Sequence, residues 1–183
     1  MITVSLKEFI KTGMFGPITI GSSRDETIKA FGVADHIVDF GETQSIQPGA
    51  YYEFFCWTDT GLINGIQNDH LQAESIKHAE LIFHIDQYWE LDPWFLKANA
   101  NVTFGEVCQL LKSESIAYVI EPIYPGCEEE VIRIIESNVK IDFCNEYRTP
   151  QTNKYGELIG WNEFYETDQN KFVLNGIRLF DLS

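Results

Sequence analysis

The chain has 183 residues, of which 28 are Asp or Glu and 13 are Lys or Arg, so its formal net charge is −15. A negative surplus this large repels nucleic acid and anionic membrane surfaces, which excludes both as expected partners. Hydrophobic residues make up 44% and aromatic residues 14%, which is enough apolar surface to build a core and argues against an acidic disordered chain. We therefore expect a folded protein whose partner is basic or small.

The N-terminal segment and the cysteine spacing bear on the compartment. Met1–Ile10 carries Glu8 among its apolar residues and lacks the apolar h-region of a secretory signal. No run approaches the ~20 apolar residues of a membrane span. The four cysteines have no C-x-x-C spacing, so reduced thiols are expected. These features predict a cytoplasmic protein without disulfides.

Four helix starts are predicted from capping residues. In three of them a Ser or Thr precedes a Glu by three residues, which is the capping-box pattern. The fourth pairs an Asp cap with Pro at the first helical position. The starts are Ser5-Leu-Lys-Glu8, Ser23-Arg-Asp-Glu26, Asp92-Pro93 and Thr103-Phe-Gly-Glu106. Gly13 and Gly32 are expected to end the first two helices.

Period-two patterns of β-branched and aromatic residues follow each pair of helices and predict strands. The segment Glu128–Glu136 also fits a helical period, which leaves a helix there as the alternative. Ser137-Asn138 and Asn175-Gly176 are predicted hairpin turns, and Asn145–Gly160 is predicted to be a long exposed loop. The predicted strands are Tyr51–Trp57, Leu62–Gln67, Glu80–Ile85, Ile116–Ile123, Glu130–Glu136, Val139–Phe143, Leu158–Tyr165 and Lys171–Phe180.

This order of elements predicts that one structural unit is repeated within the chain. Two helix-helix-sheet units would give an α+β protein with halves at residues 1–88 and 89–183, and one continuous domain is the alternative. The two stronger capping boxes, at Ser23 and Thr103, stand 80 residues apart, which is nearly half the chain.

The segment Gly16–Asp35 carries a resemblance. Its pattern is apolar-x-apolar-Gly-x-Ser, an acidic pair, a short helix and a second Gly, with Ala34 and Thr27 departing from the usual residues. It resembles bacterial immunity-type proteins of polymorphic toxin systems and, more loosely, β-lactamase-inhibitor proteins and outer-membrane-assembly lipoproteins. That resemblance implies an α+β fold with a helix pair packed on a curved antiparallel sheet, present twice in tandem, and protein binding as the function.

Three segments combine aromatic and acidic residues and are the predicted partner-binding sites, because aromatic anchors dominate interfaces and carboxylates steer a basic partner. Core packing of Trp89 and Trp94, and simple solvation of the acidic residues, are the alternatives. The first segment contributes Asp86, Trp89, Glu90, Asp92 and Trp94, the second Glu128 and Glu129, and the third Trp161, Glu163 and Tyr165.

Catalytic chemistry finds little support in the sequence. His84 and Asp86 would share one strand face and could touch one ion, but a third ligand at a defined spacing is missing. Glycine-rich phosphate loops are also missing. We predict no enzyme activity, no metal and no cofactor.

The leading hypothesis is an immunity-type protein that binds and inhibits a basic bacterial toxin domain, such as a nuclease, through an acidic and aromatic surface. The alternative is a small-molecule-binding or enzymatic α+β domain with a pocket between the halves, lined by His84 and Asp86.

Overall fold

The computed structural model describes residues 1–34, 36–49 and 51–181. Asp35, the last residue of the segment that carries the resemblance, lies outside the described residues. The helices are α1 (Leu6–Thr12), α2 (Arg24–Phe31), α3 (His78–Ile82), α4 (Phe104–Ser113) and a short 3-10 helix (Gln169–Lys171). The strands are β1 (Ile2–Ser5), β2 (His36–Asp39), β3 (Thr43–Gln47), β4 (Glu53–Trp57), β5 (Ile63–Asn68), β6 (Trp89–Asp92), β7 (Tyr118–Pro122), β8 (Glu130–Ile134), β9 (Lys140–Cys144), β10 (Glu146–Thr152), β11 (Leu158–Tyr165) and β12 (Val173–Phe180).

One eight-stranded antiparallel sheet dominates the described residues. Its strand order is β2-β3-β4-β5-β12-β9-β8-β7, and two smaller sheets pair β1 with β6 in parallel and β10 with β11 in antiparallel fashion. Strand accounts for 40% of the protein and helix for 18%. The predicted helix pair on a curved sheet, present twice in tandem, is therefore wrong. Pairing of β5 with β12 merges the strands of both halves into one sheet, while the division at residue 88 stays a prediction.

The helix predicted after Asp92-Pro93 does not form. Trp94 adopts a left-handed backbone with φ of 51°, and Asn99 does so again at 52°, which interrupts a right-handed helix. The predicted strand Glu80–Ile85 is also wrong, because α3 occupies its first residues. His78 and Ile82, four residues apart, are both buried, so the apolar pattern there follows a helical period.

The other three helix starts are confirmed. Ser5, Ser23 and Thr103 each accept a hydrogen bond from the backbone N–H three residues later, and the last two form full capping boxes. Gly13 ends α1 with φ of 77°, a conformation that glycine adopts without strain. Ser23 also forms an isolated antiparallel β-bridge with Leu62, the residue before β5, and Thr103 forms one with Val173 of β12. The starts of α2 and α4 are thereby attached to the central strands.

Most strand predictions agree with the structure to within a few residues, but two local predictions are wrong. The predicted strand Glu130–Glu136 is confirmed as β8, so the alternative helix over Glu128–Glu136 does not form, whereas the predicted loop Asn145–Gly160 contains β10. The hairpin turn predicted at Asn175-Gly176 does not form. The chain continues there as β12, and the pairing with β9 shifts its register next to Asp142. The turn at Ser137-Asn138 is confirmed, with Asn138 at φ of 60°.

The core centres on Phe15, which touches five other aromatic rings. Its ring centroid lies 5.0 to 5.8 Å from those of its neighbours, which belong to α1, α2, β4, β6 and the residue before β4. Edge-to-face aromatic contacts add to the burial of apolar area. The rings around Phe15 are Phe9, Phe31, Tyr52, Phe54 and Trp89, each at most 2% exposed.

His78 is a buried histidine with both ring nitrogens in use. Its Nδ1 accepts the backbone N–H of Asn99 at 3.0 Å, so the proton resides on Nε2, which donates to the carbonyl of Leu71 at 3.1 Å. Burial lowers the pKa of His78, although the hydrogen bond to Leu71 acts in the opposite direction. The folded protein therefore holds this side chain neutral.

Stability is expected to fall in mild acid because of His78. Its folded pKa lies below the unfolded value of about 6.5, so the unfolded state takes up the proton first and the free energy of unfolding decreases as the pH drops below that value. Urea unfolding of the wild type and of His78→Gln at pH 7.5 and 5.5 measures this. We expect a smaller pH dependence in His78→Gln and an unaltered one in His36→Gln, which is exposed. Equal slopes in all three proteins would contradict the assignment.

Candidate functional site

The β10–β11 hairpin is a part of the chain that the main sheet does not need. Strands β9 and β12 are antiparallel neighbours, which a tight turn can join. Instead, the 28 residues 145–172 leave the sheet between them. Within that excursion β10 and β11 pair with each other as a separate two-stranded sheet, which we call the arm.

Local hydrogen bonds shape both ends of the arm. At its tip, the side chain of Asn153 accepts the backbone N–H groups of Tyr155 and Glu157 at 2.8 and 3.1 Å, and Gly156 takes φ of 81°. At its base, the N–H of Glu166 donates to the carbonyl of Asn145 at 2.9 Å. The arm is therefore a defined hairpin that starts and ends at one point of the body.

Large apolar side chains stand exposed along β11. Trp161 is 37% exposed, Tyr165 69% and Ile159 65%, and all three share one face with Glu163 because strand side chains alternate. On the opposite face Phe164 stacks on Tyr147 at 5.1 Å. A contiguous patch of exposed apolar side chains is typical of an interaction surface, whereas single exposed apolar residues are common on any protein. Trp161, Glu163 and Tyr165, which the sequence predicts to share a face, do share it.

Arg148 connects the arm to the body. Its guanidinium lies 4.8 Å from the centre of the Trp161 ring, and its Nε lies 3.1 Å from Oε2 of Glu74. Glu163 stands directly opposite Arg148 in the hairpin register. The side chain thus combines a cation–π contact with an ion pair that spans 74 residues of sequence.

A cavity of about 510 Å³ lies between the base of the arm and the body. Three carboxylates and three aromatic rings line it, with Arg148 as the cation among them. Its lining residues are Gln72, Glu74, Glu146, Tyr147, Arg148, Glu163, Phe164 and Tyr165.

Glu128 and Glu129 occupy a different place. Both are exposed and lie on the rim of a groove of about 940 Å³, which Lys140, Asp142 and Arg178 also line. On the groove floor, Nε of Arg178 lies 2.8 Å from Oδ2 of Asp142. This groove shares no lining residue with the cavity at the arm, so the second and third predicted segments form separate surfaces.

The first predicted segment serves the fold. The ring of Trp89 is fully buried against Phe15, and its indole N–H donates to the carbonyl of Pro48 at 3.2 Å. Asp86 Oδ1 accepts the backbone N–H groups of Tyr88 and Trp89 at 2.6 and 2.8 Å and so holds the turn before β6. The core alternative therefore describes Trp89, and its prediction as a surface anchor is corrected.

The remaining residues of that segment also make contacts within the chain. Glu90 accepts the hydroxyl of Thr3 at 2.8 Å across the β1–β6 pair, and Asp92 is exposed at the end of β6. Trp94 is half-buried, with its ring against Phe95 at 5.0 Å and the ammonium of Lys7 at 5.6 Å.

His84 and Asp86 lie together, with Nε2 and Oδ2 3.1 Å apart, although the strand that was predicted to place them on one face does not form. The ring of His84 stacks on Trp89 at 4.1 Å. Burial acts to raise the pKa of Asp86, but hydrogen bonds from Trp89, Tyr88 and His84 outweigh it and lower the pKa. Neither residue lines either of the two cavities.

No group of three or more His, Cys, Asp or Glu side chains is placed to hold a metal ion within residues 1–34, 36–49 and 51–181. Over the same ranges, every helix is too short or too polar to span a membrane.

Sequence reasoning missed Arg148, Tyr147 and Glu74. The predicted loop hid the first two, because Pro150 and the polar residues around it mask the alternation of β10. The available signal was the partner strand β11, which was predicted with its observed bounds. A strand needs a neighbour to pair with, so β11 pointed to a second strand nearby. Nothing local indicates Glu74, because its contact with Arg148 depends on the tertiary fold.

Two tryptophans from the predicted sites should respond differently to truncation. Trp89→Ala removes a buried ring and is expected to lower the free energy of unfolding by about 3–5 kcal/mol. Trp161→Ala changes an exposed side chain and is expected to stay within about 0.5 kcal/mol of the wild type. Urea unfolding followed by far-UV circular dichroism compares them, and a larger loss for Trp161→Ala would show that the arm is part of the folding core.

Comparison of the chain with protein-family models, curated proteins and solved structures gives no match. The resemblance of Gly16–Asp35 to bacterial immunity-type proteins therefore stays a prediction, as does the cytoplasmic location.

Proposed function

We propose that this protein binds a basic protein and blocks it, as an immunity protein neutralises a toxin domain, and that the arm provides the contact. The observation that carries the proposal is the exposed row Ile159, Trp161 and Tyr165, interleaved with Glu163, on a hairpin that the main sheet does not need. Aromatic side chains are enriched among the residues that dominate binding energy. Segments that a fold does not require are where binding residues concentrate.

Charge supports a basic partner. The net charge of −15 creates a long-range field that attracts cationic proteins and accelerates their encounter. The arm is also slightly acidic, since its residues 146–165 contain three acidic and two basic side chains. A preformed hairpin also limits the ordering cost of binding, since its tip and base are fixed by local hydrogen bonds.

Co-expression with a toxin tests this function. We expect the gene for this protein to lie directly downstream of a gene for a large toxin, whose basic domain stops growth when expressed alone. Wild-type protein should restore growth. Trp161→Ala combined with Tyr165→Ala should lose that protection, because the two anchors of the arm are gone.

Tyr124→Ala is the matched control, because Tyr124 is 63% exposed and Tyr165 69%, but Tyr124 lies in the loop that leads to Glu128. It should protect as the wild type does. Failure of the wild type to protect would contradict the proposed function. Loss of protection in Tyr124→Ala, with the double variant of Trp161 and Tyr165 still protecting, would move the interface to the acidic loop and overturn the role of the arm.

A further inference from the structure

We propose that the cavity between the arm and the body receives an arginine side chain of the basic partner, and that Arg148 occupies this place until the partner binds. The inference rests on the proposed function in that the arginine belongs to the protein that is blocked. It adds the chemistry of recognition and a residue that has to move aside.

The structure already contains a guanidinium at this surface. Arg148 stacks over Trp161 at 4.8 Å and pairs with Glu74 through Nε at 3.1 Å. A planar guanidinium suits both contacts, because it can lie on an aromatic face and offer N–H donors to carboxylates at its edge. Glu74 lines the cavity, whereas Trp161 lies outside its lining and within reach of Arg148, so this surface accommodates a guanidinium between the cavity and the Trp161 ring.

The cavity has acceptors that Arg148 leaves unpaired. Of its three carboxylates, Glu74 is within ion-pair distance of Arg148, whereas no cation lies within 4.0 Å of Glu146 or Glu163 in the part of the chain that the structure describes. Tyr165, 69% exposed, stands beside them and provides a second aromatic surface. A second guanidinium therefore finds here an aromatic face and two carboxylates that pair with no cation among the described residues.

Arg148 is held weakly enough to be displaced. Its side chain is 52% exposed and that of Glu74 43%, and ion pairs with that exposure contribute little stability. The cation–π contact at an exposed site is comparably small. An incoming arginine can therefore replace both contacts without disturbing the packing of the buried core.

Titration of the ¹⁵N-labelled protein with argininamide tests the inference without any toxin. The readout is the indole N–H resonance of Trp161, assigned with Trp161→Phe. Arg148→Gln vacates the indole and is expected to bind argininamide about fivefold more tightly than the wild type. Arg148→Ala, which also leaves the ring uncovered, should show the same gain, and adding Glu163→Gln should reverse it.

Lys154→Gln is the matched control. It removes the same charge from the same arm, and Lys154 also lies over an aromatic ring, that of Tyr155 at 4.9 Å, but at the tip and away from the cavity. It should leave the affinity for argininamide unchanged. An equal gain in Lys154→Gln would show an effect of net charge alone and overturn the inference, as would unaltered binding in both Arg148 variants. Either result leaves the rescue experiment, and hence the proposed function, to be judged separately.

Discussion

Antiparallel pairing of β5 with β12 is the constraint on which the architecture depends. It aligns Ile177 with Asn68 and Phe180 with Gly65, and so joins two four-stranded meanders into one sheet. At this junction the ring of Phe180 lies over Gly65, where a Cβ would stand 2.3 Å from it. Any other residue at position 65 would therefore have to displace that ring.

The position of the arm follows from this pairing. With β12 fixed between β5 and β9, the connection from β9 has to return to the point where it left, so 28 residues can leave the sheet and rejoin it without disturbing the strand order. The core rings around Phe15 stabilise the body from the other half of the chain. Aromatic side chains thus have two uses in this protein: those around Phe15 are buried, and those of β11 face solvent.

Burial separates the acidic and aromatic segments that look alike in the sequence. Asp86 to Trp94 and Trp161 to Tyr165 both interleave rings with carboxylates, yet Trp89 packs inside and Trp161 outside. The difference arises because β6 pairs with β1 and places Trp89 against Phe15, whereas β11 pairs with β10 in a separate two-stranded sheet. No local sequence pattern indicates either strand pairing. Composition alone therefore makes the two segments equally good candidates for a binding surface.

Local rules predicted local structure well. Capping boxes located three helices, and period-two patterns located most of the main sheet and, in the arm, β11 with its observed bounds. What failed depended on distant contacts or on backbone conformation: the β5–β12 junction that merges the sheets, the left-handed Trp94 that prevents a helix, and the ion pair from Arg148 to Glu74. The binding face of the arm was partly predictable, because alternation placed Trp161, Glu163 and Tyr165 together.

We propose that the arm binds the partner and that the body folds without it. Replacing residues 147–164 with Asn-Gly joins Glu146 to Tyr165, which stand opposite each other in the register, by a two-residue turn. Urea unfolding of this shortened protein, together with its ability to protect against the toxin domain, is the direct measurement. The account predicts one cooperative transition within about 1 kcal/mol of the full chain, since shortening a loop changes its closure entropy little, and complete loss of protection. A protein that fails to fold, or one that still protects, would contradict it.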